Sequence, residues 1–307
     1  MSRRRPEPIR ERVPLSRYTT MRVGGPARYF AQVGDADLVV RLAQWARDED
    51  VRWVVLGEGS NVICADDGYD GLVIVYHDPA AQPAIETTED ESATARVVAD
   101  ACLPLANLAR WTARHGLSGL EWAAGIPGTA GGAVVGNAGA FGTSMADVVL
   151  DAEVVRSGGR TRESAASLGL AYRTSALAQE VGPLAVLRVG LGLQPDDASS
   201  CLGRLEQFGR ARRRSQPGGP SSGCVFRNPP GRSAGRLLDQ CGLKGHAVGD
   251  AVYSDRHANF VINRGNATAA DVVGLMQVGR EAVWRRFGVM LEPEVKFLGG
   301  LTLGRLE

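Results

Sequence analysis

The sequence predicts an α+β protein made of three units that follow an N-terminal tail. The chain has 307 residues, of which 44% are hydrophobic and 22% are charged, and this balance is sufficient for two or three domains with apolar cores. Segments with apolar residues at helical spacing occur among short β-type runs along the whole chain. We therefore place a tail at residues 1–14 and units at residues 15–79, 80–205 and 206–307.

The first unit is a small α/β arrangement. Residues 28–33 (RYFAQV) are a predicted strand, and residues 36–50 carry apolar side chains at helical spacing. Residues 51–57 (VRWVVLG) are a buried-type strand that ends in a glycine turn, and residues 71–76 (GLVIVY) are a further strand.

The other two units continue this mixture. The polar stretch 81–94 (AQPAIETTEDESAT) is a hairpin tip or a domain junction, and residues 104–116 are a helix with Pro at its start and Gly at its end. Further helices are expected from near Ser199, at 233–242 and at 269–288, and further strands at 95–103, 151–157, 183–193, 247–254, 257–263 and 291–299.

Charge and cysteine usage argue against several classes of protein. The net charge of +1 favours neither nucleic acid nor an anionic membrane surface. Five dispersed cysteines have no zinc-type spacing and fit free thiols in a reducing cytosol. The charged N-terminus has no apolar segment behind it, and no run of about 18 apolar residues occurs. We expect a soluble, cytoplasmic, metal-free protein.

Two glycine-rich turns suit an anionic ligand. LGEGSNV (56–62) follows a buried strand and could cradle a phosphate with its backbone N–H groups and Ser60, although a plain hairpin turn explains it equally. GIPGTAGGAVVGNAGAFG (125–142) has seven glycines in eighteen residues. This second turn predicts close approach to a dinucleotide pyrophosphate beside a planar ring system, with backbone packing on backbone as the alternative.

Together with RVGGPARYF (22–30), these turns resemble the FAD-binding half of the UDP-N-acetylenolpyruvoylglucosamine reductase family. The resemblance continues through YRTS, SSGCVFRNPP, GLKG, RHANFVIN and LEPEV, so it covers nearly the whole chain. It implies the vanillyl-alcohol-oxidase-type (PCMH-like) fold, with two α+β FAD-binding subdomains and a C-terminal α+β substrate-binding domain. The short spacing from Cys224 to Gly242 resembles the subclass that lacks a tyrosine-bearing loop.

The resemblance implies a reaction and its cofactors. The family uses NADPH and bound FAD to reduce the enolpyruvyl double bond of UDP-N-acetylglucosamine enolpyruvate, which gives UDP-N-acetylmuramate for peptidoglycan. We expect a monomer that acts on these small molecules, with neither nucleic acid nor a membrane as partner. The implied FAD-binding residues are Gly57, Glu58, Gly59, Ser60, Asn61, Gly125, Ile126, Pro127, Gly128, Thr129, Gly131, Gly132, Gly136, Asn137, Ala138, Gly139 and Arg214.

Three residues match the family's catalytic positions. Cys224 stands where the family more often has a serine that donates the proton, and a thiol is mostly protonated at neutral pH and more acidic than a hydroxyl. Arg173 would face the substrate carboxylate and the developing negative charge. Glu294, rather than Glu292, would stabilise or protonate the intermediate. The alternatives are an apolar filler for Cys224, a surface arginine, and a salt bridge for Glu294.

Four further residues match positions that hold the UDP-sugar: Arg227, Asn228, Lys244 and His257. Lys244 would neutralise phosphate charge, and Arg227 keeps the charge of the family's frequent lysine. His257 stands where many members carry glutamine, and a structural hydrogen bond is its alternative. The arginines at 210–214, which include Arg214, would contact phosphate or simply favour a helix C-terminus.

Two other functions remain open from the sequence. One is a flavin-dependent oxidase of the same fold, although none of the four histidines lies in the glycine-rich turns, where such enzymes could tether FAD. The other is a non-catalytic module that binds a flavin or a nucleotide sugar, although such a module would need no acid at Cys224. Substitution of Cys224 separates these functions.

Overall fold

The computed structural model describes residues 6–86, 94–156, 159–180 and 182–304. Residues 1–5 of the predicted tail and 87–93 of the predicted hairpin tip or junction lie outside these ranges. The helices are α1 (Ala36–Asp48), α2 (Leu105–Arg114), α3 (Ala130–Val135), α4 (Ala165–Leu168), α5 (Ala176–Gln179), α6 (Ala198–Ser215), α7 (Ala234–Gln240) and α8 (Ala269–Phe287).

The strands follow the alternation of helix and strand that the sequence predicts. They are β1 (Arg10–Pro14), β2 (Pro26–Val33), β3 (Trp53–Leu56), β4 (Val62–Cys64), β5 (Tyr69–Tyr76), β6 (Ala84–Glu86), β7 (Ala95–Asp100), β8 (Leu117–Ser118), β9 (Gly139–Ala140), β10 (Thr143–Ser144), β11 (Val149–Arg156), β12 (Gly159–Ser164), β13 (Ala185–Pro195), β14 (Ala247–Val248), β15 (Ala251–Tyr253), β16 (Val261–Asn263) and β17 (Lys296–Leu298).

The chain forms two compact units, each assembled from separate stretches of sequence. Unit 1 contains residues 1–9, 31–58 and 71–212, and unit 2 contains residues 10–30, 59–70 and 213–307. The boundaries predicted near residues 79 and 205 both fall inside unit 1. The division into three functional domains stays a prediction.

Unit 1 is built around an antiparallel sheet in the order β12-β11-β13-β7-β6, with β8 paired to β13. The central strand β13 buries Leu187, Val189 and Leu191 completely, as expected for a strand with neighbours on both edges. The amphipathic helix α2 buries Leu105 and Leu108. In the same unit, β3 pairs in parallel with β5 and delivers the first glycine-rich turn.

Unit 2 combines short sheets with the long helix α8. Strands β14, β15 and β16 form an antiparallel sheet, and β17 pairs in parallel with β4, more than 200 residues earlier in the chain. Their core includes Met21, Ile63, Phe226, Tyr253 and Leu275, all completely buried. Within the described ranges, no helix is both long and apolar enough to cross a membrane.

Two local predictions need correction. Residues 10–14, assigned to the tail, form β1 and pair with β2; this strand is mostly exposed, so it lacks the apolar alternation that announces a half-buried strand. The strand predicted at 291–299 begins only at Lys296. The residues before it are extended, and they include an isolated bridge between Pro293 and Phe226.

Candidate active site

The two glycine-rich turns meet in unit 1. Glu58 accepts a hydrogen bond at Oε2 from the Gly128 backbone N–H, 2.6 Å away. A Cβ at Gly57 would lie 2.4 Å from Thr129 Oγ1, so only glycine allows this approach. Thr129 also caps α3 by accepting from the Gly132 N–H at 3.4 Å. Motifs that are 70 residues apart in sequence thus form one continuous backbone surface.

The second turn leaves space that the protein does not fill. A Cβ at Gly125 would have Arg212 Cδ as its nearest neighbour at 3.5 Å, and one at Gly132 would have Thr129 Oγ1 at 3.5 Å. Both glycines are exposed, and Gly125 adopts a φ of +68°. Bare backbone that is open on one side suits a pyrophosphate and a flat ring. These residues therefore fit FAD.

The remaining FAD-binding predictions in unit 1 follow the same stretch of chain. Gly131 and Gly132 lie in α3, Gly136 is its C-cap, and Gly139 begins β9. The backbone between them is tightly bonded: the Ile126 and Ala138 N–H groups donate to Ala123 and Ala133, at 3.0 and 2.8 Å. Because of these backbone bonds, the stretch that would face a ligand is held in place and is not a loose glycine loop.

Arg212 contacts the second turn; the sequence named it only as one of the arginines at 210–214, and Arg214 was the one predicted to bind FAD. Its Nε donates to the Ala124 carbonyl at 3.1 Å, and its guanidinium carbon lies 6.0 Å from the centre of the Phe141 ring. Arg212 is half-buried, whereas the predicted Arg214 is exposed. A fixed guanidinium beside the open glycines supplies positive charge where a phosphate would lie. The FAD-binding role of Arg214 stays a prediction.

Arg173 lies in a tight turn of unit 1. Ala171 and Thr174 exchange backbone hydrogen bonds of 3.0 and 3.1 Å around it, and Arg173 adopts a φ of +55°. Its Nη2 donates to the Gly139 carbonyl at 2.7 Å. Non-glycine residues rarely adopt positive φ, and those that do concentrate at functional sites. The predicted cation is thus bonded to the glycine-rich stretch.

Cys224 and Glu294 lie on neighbouring segments of unit 2. The Glu294 N–H donates to the carbonyl of Val225 at 2.8 Å, and the Arg227 N–H donates to that of Glu292 at 2.9 Å. Because Val225 directly follows Cys224, the backbone segments that carry the predicted acid and the predicted carboxyl are paired. Glu292 is exposed, whereas Cys224 and Glu294 are half-buried.

Asn259 holds the Cys224 segment on its other edge. Its Nδ2 donates to the Phe226 carbonyl at 2.8 Å, and its Oδ1 accepts from the Phe226 N–H at 3.0 Å. The Val225 N–H donates to the Asn259 carbonyl at 2.9 Å, and Cys224 forms a bridge with Phe260. Asn259 is only 2% exposed. Its side-chain amide therefore supplies, in the interior, the two hydrogen bonds that Phe226 would otherwise make with a neighbouring strand.

The end of the first glycine-rich turn reaches the same region of unit 2. Asn61 donates through Nδ2 to the Glu294 carbonyl at 3.2 Å. Thr20 donates through its backbone N–H to Gly59 at 3.2 Å and through Oγ1 to Ser221 at 2.6 Å. Predicted cofactor-binding and catalytic residues thus belong to one hydrogen-bonded cluster.

Ser222, which follows Ser221 in this cluster, has a buried hydroxyl that is relevant to ligand binding. The residue is 2% exposed, and its Oγ has no hydrogen-bond partner among the described residues. Buried polar groups are nearly always hydrogen-bonded. A bound group that reaches this segment of unit 2 would satisfy the hydroxyl.

The predicted substrate residues lie in unit 2. Asn228 accepts at Oδ1 from the Ala234 N–H at 2.9 Å, at the start of α7. Lys244 Nζ lies 2.8 Å from Asp239 Oδ2 in a solvent-accessible ion pair, a kind of pair worth about 0–1 kcal/mol. The Arg227 Nε is buried without a described partner. Lys244 can therefore exchange its partner for a phosphate at little cost.

His257 is held as a neutral hydrogen-bond donor. Its Nδ1 accepts from the Asn259 N–H at 3.2 Å, which leaves the proton on Nε2. Burial lowers the pKa of His257, and the positive charge of Lys244 lowers it further. A neutral imidazole that carries its proton on Nε2 supplies a donor of the kind that a glutamine amide would supply.

Sequence reasoning missed Thr20 and Asn259, and it named Arg212 only as one of the arginines at 210–214. Asn259 carried a usable signal, because an asparagine within the apolar run HANFVIN must find buried partners. Thr20 carried no comparable signal, and nothing local indicated where the Arg212 guanidinium would bond. Each acts by bonding to a segment about 90 or 200 residues away, and local pattern does not encode such distant contacts.

Comparison with known proteins identifies the family. Residues 215–298 match the family described as UDP-N-acetylenolpyruvoylglucosamine reductase, C-terminal domain, and residues 27–165 match the FAD binding domain family. A UDP-N-acetylenolpyruvoylglucosamine reductase of Symbiobacterium thermophilum is 44% identical over 298 residues, which cover 96% of this chain and 94% of the relative. The chain belongs to the UDP-N-acetylenolpyruvoylglucosamine reductase family.

Other members of this family agree along the whole chain. The reductase of Chloroflexus aggregans is 41% identical over 298 residues, which cover 95% of this chain and 98% of the relative. The crystal structure of the reductase from Thermus caldophilus has a TM-score of 0.78 and 37% identity and covers 95% of this chain and all of that one.

Membership of the reductase family confirms the main expectations from the sequence. The protein is an FAD-dependent oxidoreductase with an α+β FAD-binding fold and a reductase-type C-terminal domain. The reaction class, the use of NADPH and the place in peptidoglycan synthesis are those of the reductase family. The oxidase and the non-catalytic binder are not supported.

Proposed function

We propose that this reductase protonates C2 of the enolpyruvyl group of UDP-N-acetylglucosamine enolpyruvate with Cys224. The two glycine-rich turns would hold FAD, which would supply C3 of the same group with a hydride that originates from NADPH. The observation that supports this assignment is the pairing of Glu294 with Val225 at 2.8 Å. It holds the backbone segments that carry the carboxyl and the half-buried thiol side by side in one unit.

Each catalytic residue has a separate task. Hydride addition at C3 pushes negative charge towards the substrate carboxylate, and Arg173 offsets that charge with a guanidinium that stays protonated. Cys224 delivers its thiol proton to C2, and the resulting thiolate is reprotonated before the next turnover. Glu294 stabilises the charged intermediate from the neighbouring segment.

The nucleotide part of the substrate is assigned to Asn228, Lys244 and His257 of unit 2. His257 donates its Nε2–H to a phosphate or carbonyl oxygen, Lys244 leaves Asp239 to pair with phosphate, and the Asn228 amide donates while its Oδ1 caps α7. These roles rest on the tautomer of His257 and on the solvent-accessible Lys244–Asp239 pair.

The test measures the two half-reactions separately, without oxygen. We expect NADPH to bleach the flavin absorbance of wild type and of Cys224→Ala at similar rates. Addition of UDP-N-acetylglucosamine enolpyruvate should restore the absorbance of wild type, and Cys224→Ala should be slowed by about 10²–10⁴-fold, the usual contribution of a positioned acid. Cys224→Ser, which keeps a donor, should recover part of the rate.

The control is Cys241→Ala, because Cys241 is also half-buried and outside any disulfide but is not one of the predicted site residues. Equal reoxidation rates for Cys224→Ala and wild type would contradict the role of Cys224. Recovery with oxygen but not with substrate would favour the oxidase.

We also infer that the reductase is a cytoplasmic monomer, in which NADPH and the sugar nucleotide use one pocket in turn. The cysteines Cys64, Cys102, Cys201, Cys224 and Cys241 form no disulfide among the described residues, which suits a reducing compartment. Light scattering tests the oligomeric state. Product-inhibition kinetics test the shared pocket, and a stable ternary complex would contradict it.

A further inference from the structure

Asn137 uses its whole side chain to connect two loops of unit 1. It is 4% exposed. Its Nδ2 donates to the Ala171 carbonyl at 2.8 Å, and its Oδ1 accepts from the Ala146 N–H at 3.0 Å. It also adopts a φ of +41°, a conformation that asparagine tolerates better than most residues.

The carbonyl that Asn137 holds belongs to the turn that carries Arg173. Ala171 and Thr174 close this turn with mutual backbone hydrogen bonds of 3.0 and 3.1 Å. Tyr172, the other central residue, is 56% exposed. The turn therefore has little packing of its own and depends on hydrogen bonds for its position.

Two more bonds fasten this turn to the glycine-rich stretch. Ser175 donates through Oγ to the Val135 carbonyl at 2.6 Å, and Arg173 Nη2 donates to the Gly139 carbonyl at 2.7 Å. Among these anchors, Asn137 binds the start of the turn: its side chain donates to the carbonyl of Ala171, two residues before Arg173. Loss of this bond would free the Ala171 end of the turn.

We propose that Asn137 is a positioning residue for Arg173, fixing the turn so that the guanidinium is aimed where negative charge develops on the substrate. This rests on the role proposed above for Arg173. Asn137 was expected from the sequence to bind FAD, but both polar groups of its side chain are engaged by the protein. Its own contribution is therefore indirect and specific to the step that Arg173 assists.

The proposal predicts different effects on the two half-reactions. Reduction of the flavin by NADPH does not need charge stabilisation on the enolpyruvyl group, whereas reoxidation by the substrate does. A small misplacement of a catalytic group costs up to about 100-fold in rate. Variants at Asn137 should therefore slow reoxidation selectively.

The experiment compares Asn137→Asp and Asn137→Gly with wild type under anaerobic stopped flow. Asn137→Asp keeps the acceptor for Ala146 and loses the donor to Ala171, and Asn137→Gly removes both while tolerating positive φ. We expect normal FAD content and normal reduction by NADPH. Reoxidation by UDP-N-acetylglucosamine enolpyruvate should be about 10- to 100-fold slower. Asn107→Asp, at an exposed position on α2, is the matched control.

A double-mutant cycle with Arg173→Ala tests whether Asn137 acts through Arg173. In the Arg173→Ala background, Asn137→Asp should change the reoxidation rate by less than about twofold. Multiplicative effects, or loss of FAD from both Asn137 variants, would overturn the proposal. If Arg173→Ala is slow but Asn137→Asp is normal, the role of Asn137 alone fails. If Arg173→Ala reoxidises at the wild-type rate, the proposed role of Arg173 fails as well.

Discussion

His257 shows at the scale of one residue how a hydrogen bond selects a protonation state. Its Nδ1 can accept the Asn259 N–H only while the ring is neutral, and burial together with the charge of Lys244 lowers its pKa below the ordinary value of 6.5. The folded protein therefore binds fewer protons at this site than the unfolded chain does. The stabilisation is fully present above about pH 6.5 and is lost as the pH falls through the folded pKa.

We predict that the unfolding free energy of His257→Gln falls less with decreasing pH than that of wild type. Urea unfolding between about pH 7.5 and 5.5 should show a smaller loss of unfolding free energy in this variant than in wild type, because glutamine does not titrate. His246→Gln, at an exposed position, is the matched control variant. An identical slope for wild type and His257→Gln would rule out this assignment.

At the scale of residues, the sequence predicted which chemical groups would act, but it did not predict which residues would bond to each other. Cys224, Glu294 and Arg173 could be selected because motif and residue type identify a donor, a carboxyl and a cation. Nothing local indicated that Asn137 would bond to Ala171, because a buried amide reveals its need for a partner but not which partner it finds.

At the scale of elements, the Cys224 segment is held from both edges without a regular strand. The segment bonds to Glu292 and Glu294 on one edge and to the Asn259 side chain on the other. The backbone groups of Phe226 are buried, so they need these partners. The order of the catalytic segment therefore depends on one asparagine.

We predict that Asn259→Ala destabilises the protein by about 2–4 kcal/mol, because both the N–H and the carbonyl of Phe226 lose their partner in the interior. Urea unfolding measures this loss. Asn266→Ala, at an exposed position, should fall within about 0.5 kcal/mol of wild type. A similarly small change for Asn259→Ala would mean that Phe226 finds other partners.

Element types were largely predictable, whereas short elements were not. Helices α1, α2 and α8 and strand β13 are long and periodic, and each lies where the sequence places it. Strands β4 and β12 were missed: β4 has three residues, and β12 is mostly exposed. Such strands exist because a partner strand binds them, so their own residues carry little signal.

At the scale of the whole molecule, bound FAD should contribute to stability by mass action. A ligand that binds only the folded state adds about 2.7 kcal/mol at 100 times its dissociation constant. We predict that removal of FAD lowers the unfolding midpoint and that its return restores it. Riboflavin, which lacks the pyrophosphate, should stabilise less at equal concentration. Equal effects of FAD and riboflavin would contradict phosphate binding at the glycine-rich turns.

The sequence by itself determined the fold class, the family and the kind of chemistry, because these depend on periodicity and on motifs carried by neighbouring residues. Only the tertiary structure decided that Glu58 joins the two glycine-rich turns, that Asn259 holds the Cys224 segment, and that unit 2 is assembled from three separate stretches. These features rest on contacts between residues far apart in the chain. Such contacts form only where the packed backbone brings specific donors and acceptors within about 3 Å of each other.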